Sequence, residues 1–328
     1  MLAHLLNKER HTVTGLLGTL GREQQDWSKA YRLYRGHIES AALFSPILEG
    51  VLELLPKEAA LMIAVDDSHL RKTGLKVASA GWYRDPLGPA FHTNLMWSQR
   101  FIQLSAAVPD PANPKRSRMI PIAMEMIPKL PKPAKDASQE ELDHYEKIKA
   151  LNSPGAHAIR LLQQVREHLD ASSAYAEKIM WVCGDGDYSN SRLLPHLPSK
   201  TIYIGRTRAD INLRSVPPQP KHRAPGRPRS YGKQLPTPEA LRKDKTVAWE
   251  DLSICNGPKD TKVRYKRIAR AKWPNAGEQA VIQVVVIAPL RYKKRKNGPW
   301  RYTKPAYLVC TDANMPTEQL IQAYFWRW

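Results

Sequence analysis

Cysteine is nearly absent: 328 residues hold three, Cys183, Cys255 and Cys310, an odd number of isolated thiols with no C-x-x-C pair. Neither a disulfide framework nor a cysteine zinc site has the residues it needs, and a reducing cytoplasm is the expected setting. Histidine does not fill the gap. His69 and His92 have no partner at metal-ligand spacing and read as structural. Long apolar runs are missing as well. The start, MLAHLLNKERHTV, lacks a leader's apolar segment, and the most apolar stretch, Val281 to Leu290, is too short to span a bilayer and contains Gln283. The expectation is a soluble intracellular protein with no membrane partner.

Acidic residues are also short. The chain carries 51 Lys and Arg against 31 Asp and Glu, a formal charge of +20. Such a field attracts phosphates and has to be tolerated against self-repulsion, so the partner class is polyanionic. The excess is concentrated: residues 205–304 hold 25 basic and 7 acidic residues, +18 of the total. A chain of 328 residues can bury a full core, as one large domain or two to three smaller ones.

Against these absences stands the stretch LMIAVDDSHLRKTG, Leu61 to Gly74. Five apolar residues run into two carboxylates, the pattern of a buried strand delivering Asp66 and Asp67 to its exposed end. WVCGDGDYSN, from Trp181, repeats it: a short apolar run ends at Asp185, and Gly186 lets the backbone turn. Two strand-end acids far apart in sequence meet at one sheet edge if the topology allows, and would there hold divalent metal for phosphodiester chemistry. Asp67 and Asp187 are expected to point elsewhere, because neighbouring side chains alternate on an extended backbone.

The rest of the chain supplies that topology. Residues 1–57 show apolar residues at three- and four-residue spacing, a helical region ended by Pro56. It reads either as a small bundle packed on the main domain or as a DNA-contacting module using Arg10, Arg22, Lys29, Arg32 and Arg35. No helix-turn-helix signature is clear. Residues 58–205 begin with strands: Leu61 onward, then TGLKVASAG as a hairpin partner across Gly74, then PAFHTNLMWSQRFIQLSAAV, then Arg118 to Ile127 with Pro121 placing it at an edge. After a Pro-rich linker, Ser138 and Glu141 fit a capping box and Pro154 the first turn of a second helix. Strands at Lys178 to Cys183 and Lys200 to Ile204 flank a short helix at Ser191 to Leu197. This order matches an α/β, ribonuclease-H-like mixed sheet with flanking helices, the first strand lying beside the one after the first crossover helix. Residues 206–305 read as a basic, β-rich insertion with a Pro-rich loop. Residues 306–328 return to the core with a final strand and the helix PTEQLIQAYFWRW, which shows no C-cap.

With Asp66, Asp185 and this last helix, the sequence resembles a bacterial insertion-sequence transposase of the DDE class, in the group with a Tyr-Arg-Glu-Lys signature. The matches are IAVDDSHLRKTG, then CGDGDYSN with Asp185 and Tyr188 at D-x-x-Y spacing, then Tyr324-x-x-Arg327 for the signature's Y-x-x-R. The family's Glu follows that Arg by four residues, beyond Trp328, so the expectation is a chain truncated just before its third acidic residue and cleavage-deficient alone. The resemblance implies a ribonuclease-H-like fold with a β-rich insertion, cleavage of transposon ends and strand transfer into target DNA. It also implies a homodimer on DNA, and a bacterial, nucleoid-associated protein of the cytoplasm. The alternatives are a truncated non-catalytic DNA-binding derivative and a structure-specific nuclease of the same fold.

The chemistry needs an activated water or 3′-hydroxyl beside phosphorus and a stabilised leaving oxygen. Two Mg²⁺ (or Mn²⁺) ions roughly 3.5–4 Å apart do both jobs, with Asp66 as bridging ligand and Asp185 as the second. Tyr324 and Arg327 read either as helix packing and surface charge or as contacts to DNA phosphates. Arg71 and Lys72 steer DNA or sit in a solvated hairpin. Arg227 and Arg229 belong to Pro-Gly-Arg-Pro-Arg, which is either an AT-hook core or an unstructured linker. Lys293, Lys294, Arg295 and Lys296 form a basic loop able to bind phosphate. Trp326 and Trp328 read as core residues.

Overall fold

The run Leu61–Val65 is buried throughout, in a strand that has a neighbouring strand on each side, and the sheet grows outward from it. A computed structural model describes residues 6–8, 12–36, 39–85, 87–89, 91–92, 94–218, 229–256, 259–295 and 297–327. Its helices are α1 (Val13–Thr19), α2 (Ser28–Arg35), α3 (Ser40–Leu54), α4 (Gln139–Leu151), α5 (Pro154–Asp170), α6 (Pro238–Lys243) and α7 (Thr317–Trp326). Its strands are β1 (Leu61–Arg71), β2 (Gly81–Arg84), β3 (Leu95–Asp110), β4 (Asn113–Ile127), β5 (Met180–Gly184), β6 (Thr201–Arg206), β7 (Glu250–Asn256), β8 (Lys259–Ala271), β9 (Ile282–Ile287), β10 (Arg291–Lys293), β11 (Trp300–Tyr302) and β12 (Ala306–Cys310).

The chain divides into two units, residues 1–43 and 44–328, so the boundary lies inside α3. In the first, Thr12 caps α1 by accepting from the Gly15 N–H, and Leu16 is buried. Arg22, Lys29, Arg32 and Arg35 are exposed, while Arg10 lies outside the described residues.

The second unit is built on one ten-stranded mixed sheet, ordered β2-β3-β1-β5-β6-β12-β9-β8-β7, with β4 also paired to β3. β1 is antiparallel to β3 and parallel to β5, and β5 is parallel to β6. Helices flank the sheet, and the architecture is ribonuclease-H-like α/β. Along β1, Leu61, Ile63 and Val65 enter a core cluster with Leu48, Val51 and Leu52 of α3 and Leu161, Leu162, Val165 and Leu169 of α5. Met62 faces the other way, into a cluster with Leu320, Ile321 and Ala323 of α7. Each such fully buried apolar side chain contributes about 1.5–3 kcal/mol, so β1 is anchored from both faces.

The local signals of the middle segment are realised. Ser138 and Glu141 cap α4 reciprocally, Pro154 occupies the first turn of α5, and β4, with Pro121, pairs among the described residues with β3 alone. Two expectations are corrected. Residues 72–80 contain no strand, so TGLKVASAG is not the hairpin partner of β1; the long β3 takes that place, from Ile63↔Ala106 to Arg71↔Ser98. β1 therefore does not end at its acids. Burial stops at Asp66 while the strand runs on to Arg71, because parallel pairing with β5 ends at Ala64↔Cys183 and antiparallel pairing with β3 continues. In the 206–305 segment, β7, β8 and β9 extend the main sheet beyond β12, and β10 and β11 pair with each other.

Candidate active site

Alternation along β1 sends its two acids to opposite faces of the sheet. Asp66 continues the series of Met62 and Ala64 toward α7; Asp67 continues that of Ile63 and Val65 toward the α3 and α5 layer. Asp185 comes immediately after β5, which lies beside β1.

On the α7 side, one nitrogen of the Arg327 guanidinium lies 3.6 Å from Asp66 Oδ2 and 3.9 Å from Asp185 Oδ2. Two carboxylates from distant segments therefore converge on one cation. The Arg327 side chain is 2% exposed, those of Asp66 and Asp185 51% and 37%, so the acids open outward from a buried base. At these distances the attraction is Coulombic rather than hydrogen bonding. The other oxygen of each acid is held by its own segment: Asp66 Oδ1 accepts from the Asp67 N–H and Asp185 Oδ1 from the Asp187 N–H, each at 2.9 Å. Burial pushes the Asp66 carboxyl above the usual range; Arg327 and the Asp67 N–H oppose this and Asp185 adds to it.

On the opposite face both oxygens of Asp67 are occupied. Arg100 Nε donates to Oδ2 at 2.7 Å and the Tyr188 hydroxyl to Oδ1 at 3.3 Å. Burial, then the Asp67 carboxylate, drive the Tyr188 phenol far above its ordinary range, so it remains an O–H donor. Beneath Asp185 lies Tyr203, whose hydroxyl is 3.0 Å from Ser189 Oγ and donates to the Asp185 carbonyl at 3.4 Å. Two glycines make room for that ring. A Cβ at Gly184 would fall 2.5 Å from Tyr203 Oη, and one at Gly205 2.3 Å from the ring.

The structure thus brings Asp66, Asp185 and Arg327 together. Tyr324 it places elsewhere, 7% exposed in the apolar cluster under α7 with its ring 5.7 Å from Phe325. Trp326 packs against the same cluster. Arg71 is exposed and paired with Asp85 at 2.5 Å. Arg229, Lys293, Lys294 and Arg295 are exposed. Lys293 belongs to the β10–β11 ribbon, where its Nζ lies 4.8 Å from the Trp300 ring and the Arg291 guanidinium 3.7 Å from it. Arg227, Lys296 and Trp328 lie outside the described residues. Arg100, Tyr203, Gly184 and Gly205 were not singled out from sequence; only the D-x-x-Y spacing pointed at Tyr188, and nothing local names Asp67 as its partner.

Residues 1–280 match the family described as DDE superfamily endonuclease. The chain belongs to this family. No curated protein matches it. The matched stretch contains Asp66 and Asp185 and ends before the β10–β11 ribbon and α7. Membership brings nuclease or transposase-type function with DNA as substrate, in a superfamily that generally uses divalent metal ions. The donor set fits such an ion in type: two carboxylates, hard oxygen ligands, partly open to solvent. Among the described residues, no cluster of three or more His, Cys, Asp or Glu is placed to hold a metal. No helix among them is long and apolar enough to cross a membrane.

Proposed function

We propose that this DDE superfamily endonuclease is an insertion-sequence transposase, cleaving transposon ends and transferring the strands into target DNA. The observation that carries the reading is the convergence of Asp66 and Asp185, 119 positions apart, on a single guanidinium. Asp66 and Asp185 hold Mg²⁺ or Mn²⁺, two ions in the fully assembled site. When bound, the metal supplies Lewis-acid activation of the attacking oxygen and neutralises charge on the phosphodiester. The residues of the chain do the rest. Asp66 is fixed by β1, Asp185 by its turn, and Arg327 offsets part of their charge.

DNA is held by the basic 206–305 segment. Between Glu278 and Asp312 there is no acidic residue, and within that interval Lys293, Lys294 and Arg295 stand exposed around the ribbon, with Arg229 exposed elsewhere in the segment. A two-stranded ribbon also suits the major groove of DNA. Two transposon ends must be handled together, so the working form is a homodimer on DNA, acting at the bacterial nucleoid.

The test is nicking of a supercoiled plasmid carrying the gene with its flanking DNA, in Mg²⁺ or Mn²⁺, by the chain continued through the family's Glu and Lys. Nicking dependent on the metal, and lost in Asp66→Asn and Asp185→Asn, is expected. Nicking that ignores both substitutions would overturn the assignment. Metal-dependent nicking with no joining to a second DNA in the same assay would favour the structure-specific nuclease.

A further inference from the structure

Asp66 and Asp185 are carried by segments that no backbone ladder joins at the level of the acids. Parallel pairing of β1 with β5 ends at Ala64↔Cys183, one residue short of the end of β5 and two short of Asp66. Past that point the link runs through side chains. Tyr188 shares the turn of Asp185, its N–H donating to the Asp185 carbonyl at 3.3 Å, and its hydroxyl reaches Asp67, the residue after Asp66. Arg100, from β3, clamps the other oxygen of Asp67 at 2.7 Å.

We propose that Asp67, Tyr188 and Arg100 form a positioning brace, which sets the spacing of Asp66 and Asp185 from the opposite face of the sheet and so tunes their affinity for a divalent cation. The inference rests on the proposed role of those two acids. Tyr188 is 1% exposed and Asp67 has both oxygens engaged, so neither meets DNA; they act through their neighbours. A buried phenol is also a poor choice for packing alone, since its hydroxyl loses water and a phenylalanine fills the same space without that cost. The hydroxyl is spent on Asp67. Tyr203, locked between Gly184 and Gly205, supports the Asp185 turn, and Tyr188 links that turn to β1 on the face opposite Arg327. Partners one shell behind metal ligands typically change metal affinity by roughly 10–100-fold when removed.

The experiment measures Mn²⁺ binding to the full chain without DNA, by electron paramagnetic resonance of the free ion, beside a thermal melt. Asp66→Asn establishes which binding belongs to the site. Tyr188→Phe is expected to weaken that binding about tenfold, with nicking restored at saturating Mn²⁺, so that the metal requirement moves and the maximal rate does not. Tyr265→Phe, which loses a hydrogen bond to Glu250 on the β7–β8 pair, serves as the control for a lost phenol and leaves Mn²⁺ binding unchanged. If Tyr188→Phe does not fold, Asp67→Asn and Arg100→Gln take its place; acting through one brace, the pair together lose no more than the worse of the two. Wild-type Mn²⁺ affinity in a folded Tyr188→Phe, or fully additive losses in the Asp67 and Arg100 pair, would overturn the brace. Mn²⁺ binding indifferent to Asp66→Asn would instead overturn the metal role itself.

Discussion

The carboxylate site and the β10–β11 ribbon handle charge under opposite conditions. At the site the strand of Asp66 is still paired with β3, Arg327 is buried, and each acid keeps one oxygen engaged by a backbone N–H. On the ribbon all six ladder residues are exposed, and Arg291 and Lys293 rest on Trp300. In the proposed function the two regions divide the work. Chemistry at phosphorus needs groups held in a fixed geometry, whereas holding a DNA backbone needs long solvated cations that displace counterions. Rigidity is concentrated where it is used, and the ribbon is left a short two-stranded element supported by its own cation–π stack.

That division can be broken one side at a time. Asp66→Asn or Asp185→Asn should lower the nicking rate by roughly a thousandfold, several kcal/mol of lost charge stabilisation, while DNA affinity in a gel-shift titration stays level or rises. Gly205→Ala drives a methyl into Tyr203, whose hydroxyl is already engaged; urea unfolding should show a loss of about 1–3 kcal/mol or more, with DNA binding by the ribbon unaffected. Replacing Arg291, Lys293, Lys294 and Arg295 with Gln should leave the melting temperature nearly unchanged. It should reduce the slope of log affinity against log salt by roughly 2 to 4, about 0.9 for each phosphate no longer neutralised. An unchanged slope would remove the ribbon from the DNA-holding surface.

The smallest effect concerns stability and pH. Asp66 binds its proton more tightly in the folded chain than in the unfolded one, since burial raises its pKa. Its contribution to stability is therefore present below the ordinary carboxylate value and lost as pH rises through the raised one. Asp66→Asn should raise the melting temperature slightly near pH 7 and hardly at all near pH 3, which paired thermal scans would detect. A loss of stability at pH 7 would mean that Arg327 depends on Asp66 more than Asp66 suffers from burial.

Much of the core was legible because its signals are local. The apolar run into Asp66, the Ser138 and Glu141 cap, Pro154 at a helix start and Pro121 on a singly paired strand each depend on a few neighbouring residues. Strand partners were less legible. TGLKVASAG lies next in the chain and has the composition of a partner, but β3 offers a longer match from further away. The strands after residue 206 carried the same difficulty: composition marks them as strands and does not say which edge they extend. Tyr324 and Arg327, three apart in the last segment, read from sequence as packing or phosphate contact, with phosphate contact favoured. The fold buries the first in an apolar cluster and turns the second onto the acids.

Asp66 and Asp67 show where the two kinds of information part. Their sequence settles that both sit on one extended strand behind a buried run, and that consecutive side chains leave it on opposite sides. It does not say what covers either side. That came from packing: α7 brings Arg327 to the face of Asp66, while β3 and the turn after β5 bring Arg100 and Tyr188 to the face of Asp67. A half-exposed carboxylate facing Arg327 and one with both oxygens engaged thus follow from the same residue type in adjacent positions. The cause is long-range packing, which a linear pattern of neighbours does not encode.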